Sequence, residues 1–177
     1  MIYEPREDSY LLAKYVKKYA KGRVLDMGTG SGVLALAALE KTKDVEAVDI
    51  NKEAVRLVHS KGVNAYVSNL FENVKGKFDL IVFNPPYLPL EREFAGIKLD
   101  VSYTNDIALV GGKKGHETIE RFFKHAGKYL EKDGRILMIV SSLTPNIEPI
   151  VKKYGFNFEI LEKKRIFFED LKVYLIE

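Results

Sequence analysis

A glycine-rich segment early in the chain has the residue types and spacing of a cofactor-binding turn. The segment runs Leu25-Asp26-Met27-Gly28-Thr29-Gly30-Ser31-Gly32, between an apolar strand-like run and an Ala/Leu-rich helix pattern. Glycine permits a left-handed backbone and lets a ligand approach bare main chain, and free N–H groups at a helix start attract polar ligands. We therefore expect Gly28 and Gly30 to contact a cofactor, although the same glycines would also serve a plain tight turn.

A carboxylate further along the chain supports the cofactor interpretation. Asp49 ends the second apolar run, in Val48-Asp49-Ile50-Asn51, and an acidic residue about 20 positions after such a turn accepts hydrogen bonds from ribose hydroxyls. The alternative is a helix cap, with Asp49 or Asn51 opening the helix that follows. The glycine turn upstream favours ribose binding.

The glycine spacing argues against a dinucleotide. Dinucleotide folds use the pattern G-x-G-x-x-G, whereas Val33 stands where that pattern needs its third glycine. Asp26, just before the turn, would repel a phosphate and would instead suit an ammonium group. A ligand with a ribose and an amino group but no phosphate fits S-adenosylmethionine, and Asp26 becomes a further expected cofactor contact.

A rigid tetrad, Asn84-Pro85-Pro86-Tyr87, follows the fourth apolar run. In an open α/β sheet, ligands bind beyond the carboxyl ends of the strands, and two prolines fix the backbone there. The Asn84 side chain and the Pro85 carbonyl can each accept a hydrogen bond. Together they could hold both hydrogens of a planar –NH2 group, on which Tyr87 could stack. A plain proline turn that caps the strand is the alternative.

Apolar runs that alternate with helix-period segments must position these groups. Runs apolar on both faces, alternating with helices, predict a mostly parallel seven-stranded α/β sheet covered on both sides. The last two strands have no helix between them, which predicts an antiparallel C-terminal hairpin at one edge. The predicted strands are 24–27, 45–50, 65–67, 78–83, 135–140, 158–161 and 171–176, and the predicted helices are 8–20, 32–41, 52–61, 116–130 and one after Pro145. A long non-helical segment, 84–113, is expected to be functional.

The composition excludes several classes of protein. The 177 residues include no Cys and three His, which excludes disulfides, thiol nucleophiles and Cys-type zinc sites and leaves no metal site to expect. The formal net charge of +3 permits a nucleic-acid ligand without demanding one. No apolar run approaches the ~18–20 residues of a membrane span, and the N-terminus lacks a signal core. We expect a cytoplasmic protein with a single domain over residues 1–177.

On these motifs the sequence resembles the class I, Rossmann-like methyltransferases over nearly its whole length. The tetrad is similar to the N-P-P-[YF] signature of enzymes that methylate nitrogen conjugated to a planar system, on adenine N6, guanine N2 or the glutamine side-chain amide. The opening Tyr3-Glu4-Pro5-Arg6-Glu7-Asp8-Ser9 resembles the Y-E-P-x-E-D-[ST] start of the HemK-like glutamine methyltransferases, in the short archaeal and eukaryotic branch that modifies peptide-release factors. From the residues alone this opening is only a helix start, where Asp8 or Ser9 can cap. The stretch Ala108-Leu109-Val110-Gly111-Gly112-Lys113-Lys114-Gly115 is similar to that branch's A-x-x-G-G-x-x-G.

The resemblance implies methyl transfer from S-adenosylmethionine to a glutamine amide nitrogen, with a catalytic tetrad of Asn84, Pro85, Pro86 and Tyr87. It implies cofactor contacts from Ser9, Asp26, Gly28, Gly30, Asp49, Asn69, Leu70 and Asn84. The family usually has Asp-Leu where this chain has Asn69-Leu70, so Asn69 would accept from the adenine amine through an uncharged carbonyl. Bacterial relatives carry an N-terminal helical domain, which we expect to be absent here because only 22 residues precede Arg23.

The resemblance also implies a partner, a small zinc-binding activator subunit that forms a heterodimer with this chain. In this fold the third strand, 64–68, lies at a sheet edge, and here it contains no Lys or Pro to block pairing. Open apolar edges are hazards that proteins cover or use for strand addition. Alternatively, Phe71 or a neighbouring loop shields the edge.

Two other functions stay open from the sequence. A nucleic-acid methyltransferase that acts on adenine N6 or guanine N2 would use the same tetrad, but it would need a basic substrate face that the net charge does not indicate. A non-catalytic cofactor-binding or adaptor protein would have no need of an intact tetrad.

Overall fold

The computed structural model describes residues 2, 4–89, 91–94, 97–100, 110–144, 147–166 and 169–177. The helices within them are α1 (Glu7–Tyr19), α2 (Val33–Leu39), α3 (Lys52–Ser60), α4 (Glu117–Ala126) and α5 (Glu148–Lys153), and a 3-10 turn (Gly127–Tyr129) follows α4. The strands are β1 (Val24–Met27), β2 (Val45–Asp49), β3 (Asn64–Val67), β4 (Phe78–Phe83), β5 (Leu88–Pro89), β6 (Glu91–Phe94), β7 (Ile97–Asp100), β8 (Val110–Gly112), β9 (Leu130–Ser141), β10 (Phe158–Ile166) and β11 (Glu169–Ile176).

Seven of the described strands form one sheet in the order β10-β11-β9-β4-β1-β2-β3. β1 to β4 and β9 run parallel to one another, whereas β11 is antiparallel to both β9 and β10. The predicted α/β class, the mostly parallel sheet and the C-terminal antiparallel hairpin are therefore confirmed. β3 lies at one edge of the sheet, as predicted, and β10 lies at the other.

Central strands are buried on both faces, which explains their nearly unbroken apolar sequence. All four residues of β1 are buried, and so are five of the six in β4. Helices α1, α2 and α3 pack on one face through residues such as Leu12 and Val58, and α4 and α5 pack on the other. On that second face the rings of Phe83 and Phe122 lie 4.8 Å apart.

The parallel register brings the carboxyl ends of five strands to one edge of the molecule. Met27 at the end of β1 pairs with Phe83 at the end of β4, which in turn pairs with Met138 of β9. Asp49 at the end of β2 pairs with Val67 of β3. The loops that follow these strands therefore gather in one place, where ligands bind in sheets of this kind.

The segment 84–113 differs from the simple loop that its prolines and glycines suggest. Its described residues, 84–89, 91–94, 97–100 and 110–113, contain no helix, but they include two small two-stranded sheets, one pairing β5 with β8 and the other pairing β6 with β7. β9 also starts earlier than predicted, because a bulge in its pairing with β4 accommodates the polar residues 131–134. Among the helices of the described residues, none has the length and apolar character that crossing a membrane requires.

Candidate active site

The glycine turn after β1 adopts a left-handed backbone where the sequence predicts it. Gly28 has a φ of 66° and Gly30 a φ of 52°, a region in which side chains are strained. The Thr29 N–H donates to the carbonyl of Val48 at 3.0 Å. The turn is thus fixed against the end of β2, beside Asp49.

Asp49 joins the glycine turn to the end of β2. Its Oδ2 accepts from the Gly30 backbone N–H at 2.9 Å, and its Oδ1 accepts from the Asn51 N–H at 2.8 Å. The cap of α3 is Asn51, whose side chain accepts from the Glu53 N–H, so the capping alternative applies to Asn51. Each oxygen of this carboxylate can accept a further hydrogen bond, so the existing contacts leave Asp49 able to bind ribose hydroxyls. Ribose binding by Asp49 stays a prediction.

Asp26 is fully buried directly beneath the turn. Its Oδ2 accepts from Thr29 Oγ1 at 2.6 Å and from the Ala35 N–H at 3.0 Å. Its Oδ1 is buried and has no hydrogen-bond partner among the described residues. Burial raises the pKa of the Asp26 carboxyl to about 7. A buried acceptor without a donor is costly, so the site fits a ligand that brings an N–H donor or an ammonium group.

We expect the contribution of Asp26 to the free energy of unfolding of the cofactor-free protein to fall as the pH rises from about 4 to about 7. The pKa of Asp26 is higher in the folded protein than the ~3.9 of an unfolded Asp, so in this window the folded state binds more protons. The stabilisation by Asp26 is complete below the pKa of the unfolded state and is lost as the pH rises through the pKa of the folded state. The free energy of unfolding changes by at most about 1.4 kcal/mol per pH unit through this one group. In urea denaturation across this window, the free energy of unfolding of the wild type minus that of Asp26→Asn should decrease as the pH rises. An identical slope in both proteins would contradict the expectation.

Asn84, at the end of β4, lies in a cluster with two residues of α1. Its Nδ2 donates to Asp8 Oδ2 at 3.1 Å and to Ser9 Oγ at 3.2 Å. Asp8 and Ser9 are only 4% and 3% exposed. The Asn84 Oδ1 is buried and finds no partner in the described part of the chain. The side chain therefore offers one unused carbonyl oxygen, which suits an N–H donor of a ligand.

The other residues of the tetrad are held from two sides. Tyr87 is 9% exposed, and its hydroxyl donates to Asp8 Oδ2 at 3.3 Å. Its carbonyl accepts from Thr144 Oγ1, in the loop after β9, at 3.1 Å. Pro85 is buried and Pro86 is half-buried. The tetrad 84–87 is therefore held in place from both sides, and we call it the cradle. Stacking of Tyr87 on a planar ligand stays a prediction.

Asn69 and Leu70 follow β3 at the same edge of the sheet. Asn69 Oδ1 accepts from Arg121 Nη2 at 3.1 Å, and Asn69 Nδ2 donates to Glu72 at 2.9 Å. Leu70 has a φ of 52°, and its carbonyl accepts from Ser68 Oγ at 2.7 Å. A carbonyl oxygen can accept two hydrogen bonds, so Asn69 Oδ1 could accept from an adenine amine and from Arg121 at the same time. Adenine recognition by Asn69 stays a prediction.

Sequence reasoning missed three contributors to the cradle: Asp8, Thr144 and the close packing of Gly111 on Pro86. Asp8 was visible only as a helix start and as part of the opening motif. A Cβ on Gly111 would lie 2.5 Å from the Pro86 carbonyl oxygen, so only glycine fits there. Tyr3, Ala108 and Leu109, which belong to the motifs quoted above, lie outside the described residues.

The chain is similar in sequence to known methyltransferases. The family model described as methyltransferase small domain matches residues 6–168. A Methanocaldococcus jannaschii protein assigned as a protein N5-glutamine methyltransferase is 41% identical over 97% of this chain and 89% of its own length. A release factor glutamine methyltransferase of Buchnera aphidicola is 31% identical over 76% of this chain; the chain spans about half of that protein, 53%.

A solved structure extends the similarity to three dimensions. The Mtq2–Trm112 complex of E. cuniculi, responsible for the methylation of the eRF1 translation termination factor, matches with a TM-score of 0.78 and 26% identity, over 99% of this chain and 98% of that chain. The expected resemblance to glutamine N5-methyltransferases is thereby confirmed. With its glycine turn, its tetrad and a family model that spans nearly all of its length, the chain belongs to the methyltransferase small domain family.

Proposed function

We propose that this protein transfers a methyl group from S-adenosylmethionine to the side-chain amide nitrogen of a glutamine, in the Gly-Gly-Gln loop of a peptide-release factor, and that residues 1–177 act as one methyltransferase domain. The observation that carries the proposal is the buried, unpartnered Asn84 Oδ1 at the carboxyl end of β4. The relatives named for glutamine methylation support this substrate.

The residues of the glycine turn fit the cofactor. Gly28 and Gly30 offer bare backbone, Asp49 offers carboxylate oxygens for a ribose, and the unpartnered Asp26 Oδ1 needs a donor. When bound there, S-adenosylmethionine would supply an electrophilic methyl group, and its sulfur would keep the electron pair of the broken C–S bond. By the resemblance, Ser9, Asn69, Leu70 and Asn84 complete the cofactor contacts.

The tetrad addresses the low reactivity of an amide nitrogen. The lone pair of an amide nitrogen is conjugated with the carbonyl, as the ~18–20 kcal/mol barrier to C–N rotation shows. The nitrogen is therefore a poor nucleophile. Asn84 Oδ1 accepts one N–H of the glutamine amide and the Pro85 carbonyl accepts the other, so the lone pair is aimed at the methyl group. This is catalysis by positioning and by stabilisation of positive charge that develops on nitrogen. After transfer the nitrogen is far more acidic, and its proton passes to water without a strong base.

Nucleic-acid methylation is the alternative to be tested. The basic run in the terminal hairpin is partly neutralised, because Lys163 and Arg165 both pair with Asp170, at 3.0 Å and 3.3 Å. Labelled S-adenosylmethionine should transfer methyl groups to a release factor and not to transfer RNA, ribosomal RNA or DNA. Transfer to nucleic acid alone would refute the proposed substrate.

The activator subunit belongs to the same proposal, and it would add a strand to β3. Val67 is 37% exposed there. Phe71, the residue that could have shielded the edge, turns into the core instead and stacks on Tyr129 at 4.5 Å. The loop after β3 covers only the carboxyl end of this strand, where Asn73 Nδ2 donates to the Val67 carbonyl.

The opposite edge of the sheet supports this choice of surface. β10 carries a bulge between Ile160 and Glu162 and the charged residues Glu159, Glu162, Lys163, Lys164 and Arg165, devices that prevent strand addition. β3 has neither a bulge in its pairing with β2 nor a charged residue. A subunit of the kind found with the E. cuniculi protein fits this edge, and by the resemblance that subunit binds zinc.

We expect Val67→Lys to weaken association with such a subunit by at least about tenfold, because it places a charge in an apolar strand pairing. Val67→Thr keeps the β-branched shape without the charge and serves as the control. Co-purification and calorimetry would measure the association, and S-adenosylmethionine affinity should be equal in both variants. If the chain alone is monodisperse, soluble and fully active, the partner proposal fails.

A further inference from the structure

Asp8 is a buried carboxylate that contacts the tetrad at two points. It lies in the first turn of α1 and is 4% exposed. Its Oδ2 accepts from Asn84 Nδ2 at 3.1 Å and from the Tyr87 hydroxyl at 3.3 Å. Its Oδ1 accepts from the Ser9 N–H at 2.6 Å and from Ser9 Oγ at 3.2 Å. One side chain of α1 therefore reaches both ends of the tetrad that follows β4.

The chemistry of these contacts fixes which way the Asn84 amide points. An ionised carboxylate only accepts hydrogen bonds, so the nitrogen of the amide must face Asp8. The carbonyl oxygen then points away from Asp8, to the buried position where it has no partner among the described residues. In the flipped orientation the carbonyl would oppose the Asp8 carboxylate, and the –NH2 group would meet the –NH2 group of a substrate, so that donors faced donors.

We propose that Asp8 is a positioning residue for methyl transfer, which holds the Asn84 amide in the one orientation that can accept a hydrogen bond from the substrate. The inference rests on the proposed function for its catalytic consequence. Its structural content, the orientation of the amide, does not depend on which substrate carries the reacting nitrogen. The hydroxyl of Tyr87 shares the same carboxylate oxygen, so Asp8 also fixes the far end of the cradle.

The kinetic test uses Asp8→Asn, which keeps the shape of the side chain but can donate to Asn84 Oδ1 and so permits the flipped amide. We expect kcat to fall by about 10²-fold, with S-adenosylmethionine affinity close to that of the wild type and a lower melting temperature, because one oxygen that accepts hydrogen bonds in the buried cluster is lost. Glu7→Gln removes an exposed carboxylate from the same turn and should leave kcat unchanged. An unchanged kcat in Asp8→Asn would overturn the inference.

A compensating pair separates positioning from a general structural role. Asn84→Asp alone sets two carboxylates against each other and should be the least active variant. The double variant Asp8→Asn/Asn84→Asp exchanges donor and acceptor and again turns an acceptor oxygen towards the substrate. The kcat of the double variant should be at least about tenfold higher than that of Asn84→Asp. Purely additive losses would contradict the proposal.

Nuclear magnetic resonance gives a readout that needs no substrate. In the wild type, one side-chain N–H of Asn84 should be shifted downfield and protected from exchange by its bond to the carboxylate. Asp8→Asn should remove the shift, and Glu7→Gln should retain it. A freely exchanging Asn84 side chain in the wild type would overturn the inference, even where Asp8→Asn fails to fold. Failure of the proposed function is recognised separately, by a wild type that methylates no release factor.

Discussion

Replacement of Asn84 by alanine is expected to lower the rate of methyl transfer by about 10²–10³-fold, the usual effect of removing one preorganised hydrogen-bonding group. The Asn84 carbonyl oxygen is buried without a partner, so it is available for the reacting amide and contributes nothing to the core. Without it, the substrate nitrogen would lose one of the two contacts that set its plane. S-adenosylmethionine affinity should fall far less than the rate, because Asn84 is one of several expected cofactor contacts and the glycine turn and Asp49 are untouched.

The control for this variant is Asn157→Ala, the same substitution at an exposed position before β10. Asn84→Ala also removes a donor from Asp8 and Ser9, so we expect a stability loss of about 1–3 kcal/mol, measurable by urea denaturation. Single-turnover kinetics with saturating cofactor would separate the chemical step from binding. Near-normal turnover in Asn84→Ala would refute the proposed role of the tetrad.

Gly111→Ala should have the second-largest effect, although Gly111 has no functional group. A Cβ there would lie 2.2 Å from the Gly115 carbonyl oxygen and 2.5 Å from that of Pro86. Both atoms are backbone, so the conflict can be relieved only by moving the loop before α4 or the tetrad itself. Because a displacement of about 1 Å near the reacting atoms can cost 10²-fold in rate, we expect a kcat loss of that order, together with a lower melting temperature.

Gly127→Ala is the matched control for this substitution. A Cβ at Gly127 would lie 3.6 Å from the ring of Phe156, an ordinary contact, and its φ of −59° suits alanine. This variant should keep wild-type activity and stability. Wild-type kcat in Gly111→Ala would mean that the loop and the tetrad can move apart without consequence, contrary to the rigid cradle described above.

The fold was predictable because its signals are local. Each central strand is a short apolar run, as in β4 from Phe78 to Phe83, and each is followed by a polar or glycine-rich segment. Parallel strands collect those segments at one edge, so Gly28, Asp49 and Asn84 could be expected to meet without any knowledge of their distances. The same rule explains why Asn69 and Leu70 arrive at that edge.

The parts that were not predictable depend on contacts between residues far apart in the chain. Asp8 reaches Asn84 across 76 positions, and nothing in the local pattern distinguishes it from a helix-starting acid. The bond from Arg121 to Asn69 spans 52 positions. Within 84–113, β5, β6 and β8 lack the alternation of apolar and polar residues that predicts strands, and β7 shows it over only four residues. Sequence patterns report local preference and burial, whereas these features arise from tertiary packing.

The most direct test of glutamine methylation is mass spectrometry of a release factor incubated with S-adenosylmethionine and this protein, together with its activator subunit if one is required. We expect the addition of one methyl group, located on the side chain of the glutamine in the Gly-Gly-Gln loop. We expect no addition when that glutamine is replaced by alanine, and at least about 10²-fold slower addition with Asn84→Ala. An unmodified glutamine beside a methylated adenine or guanine in an RNA supplied to the same reaction would contradict it.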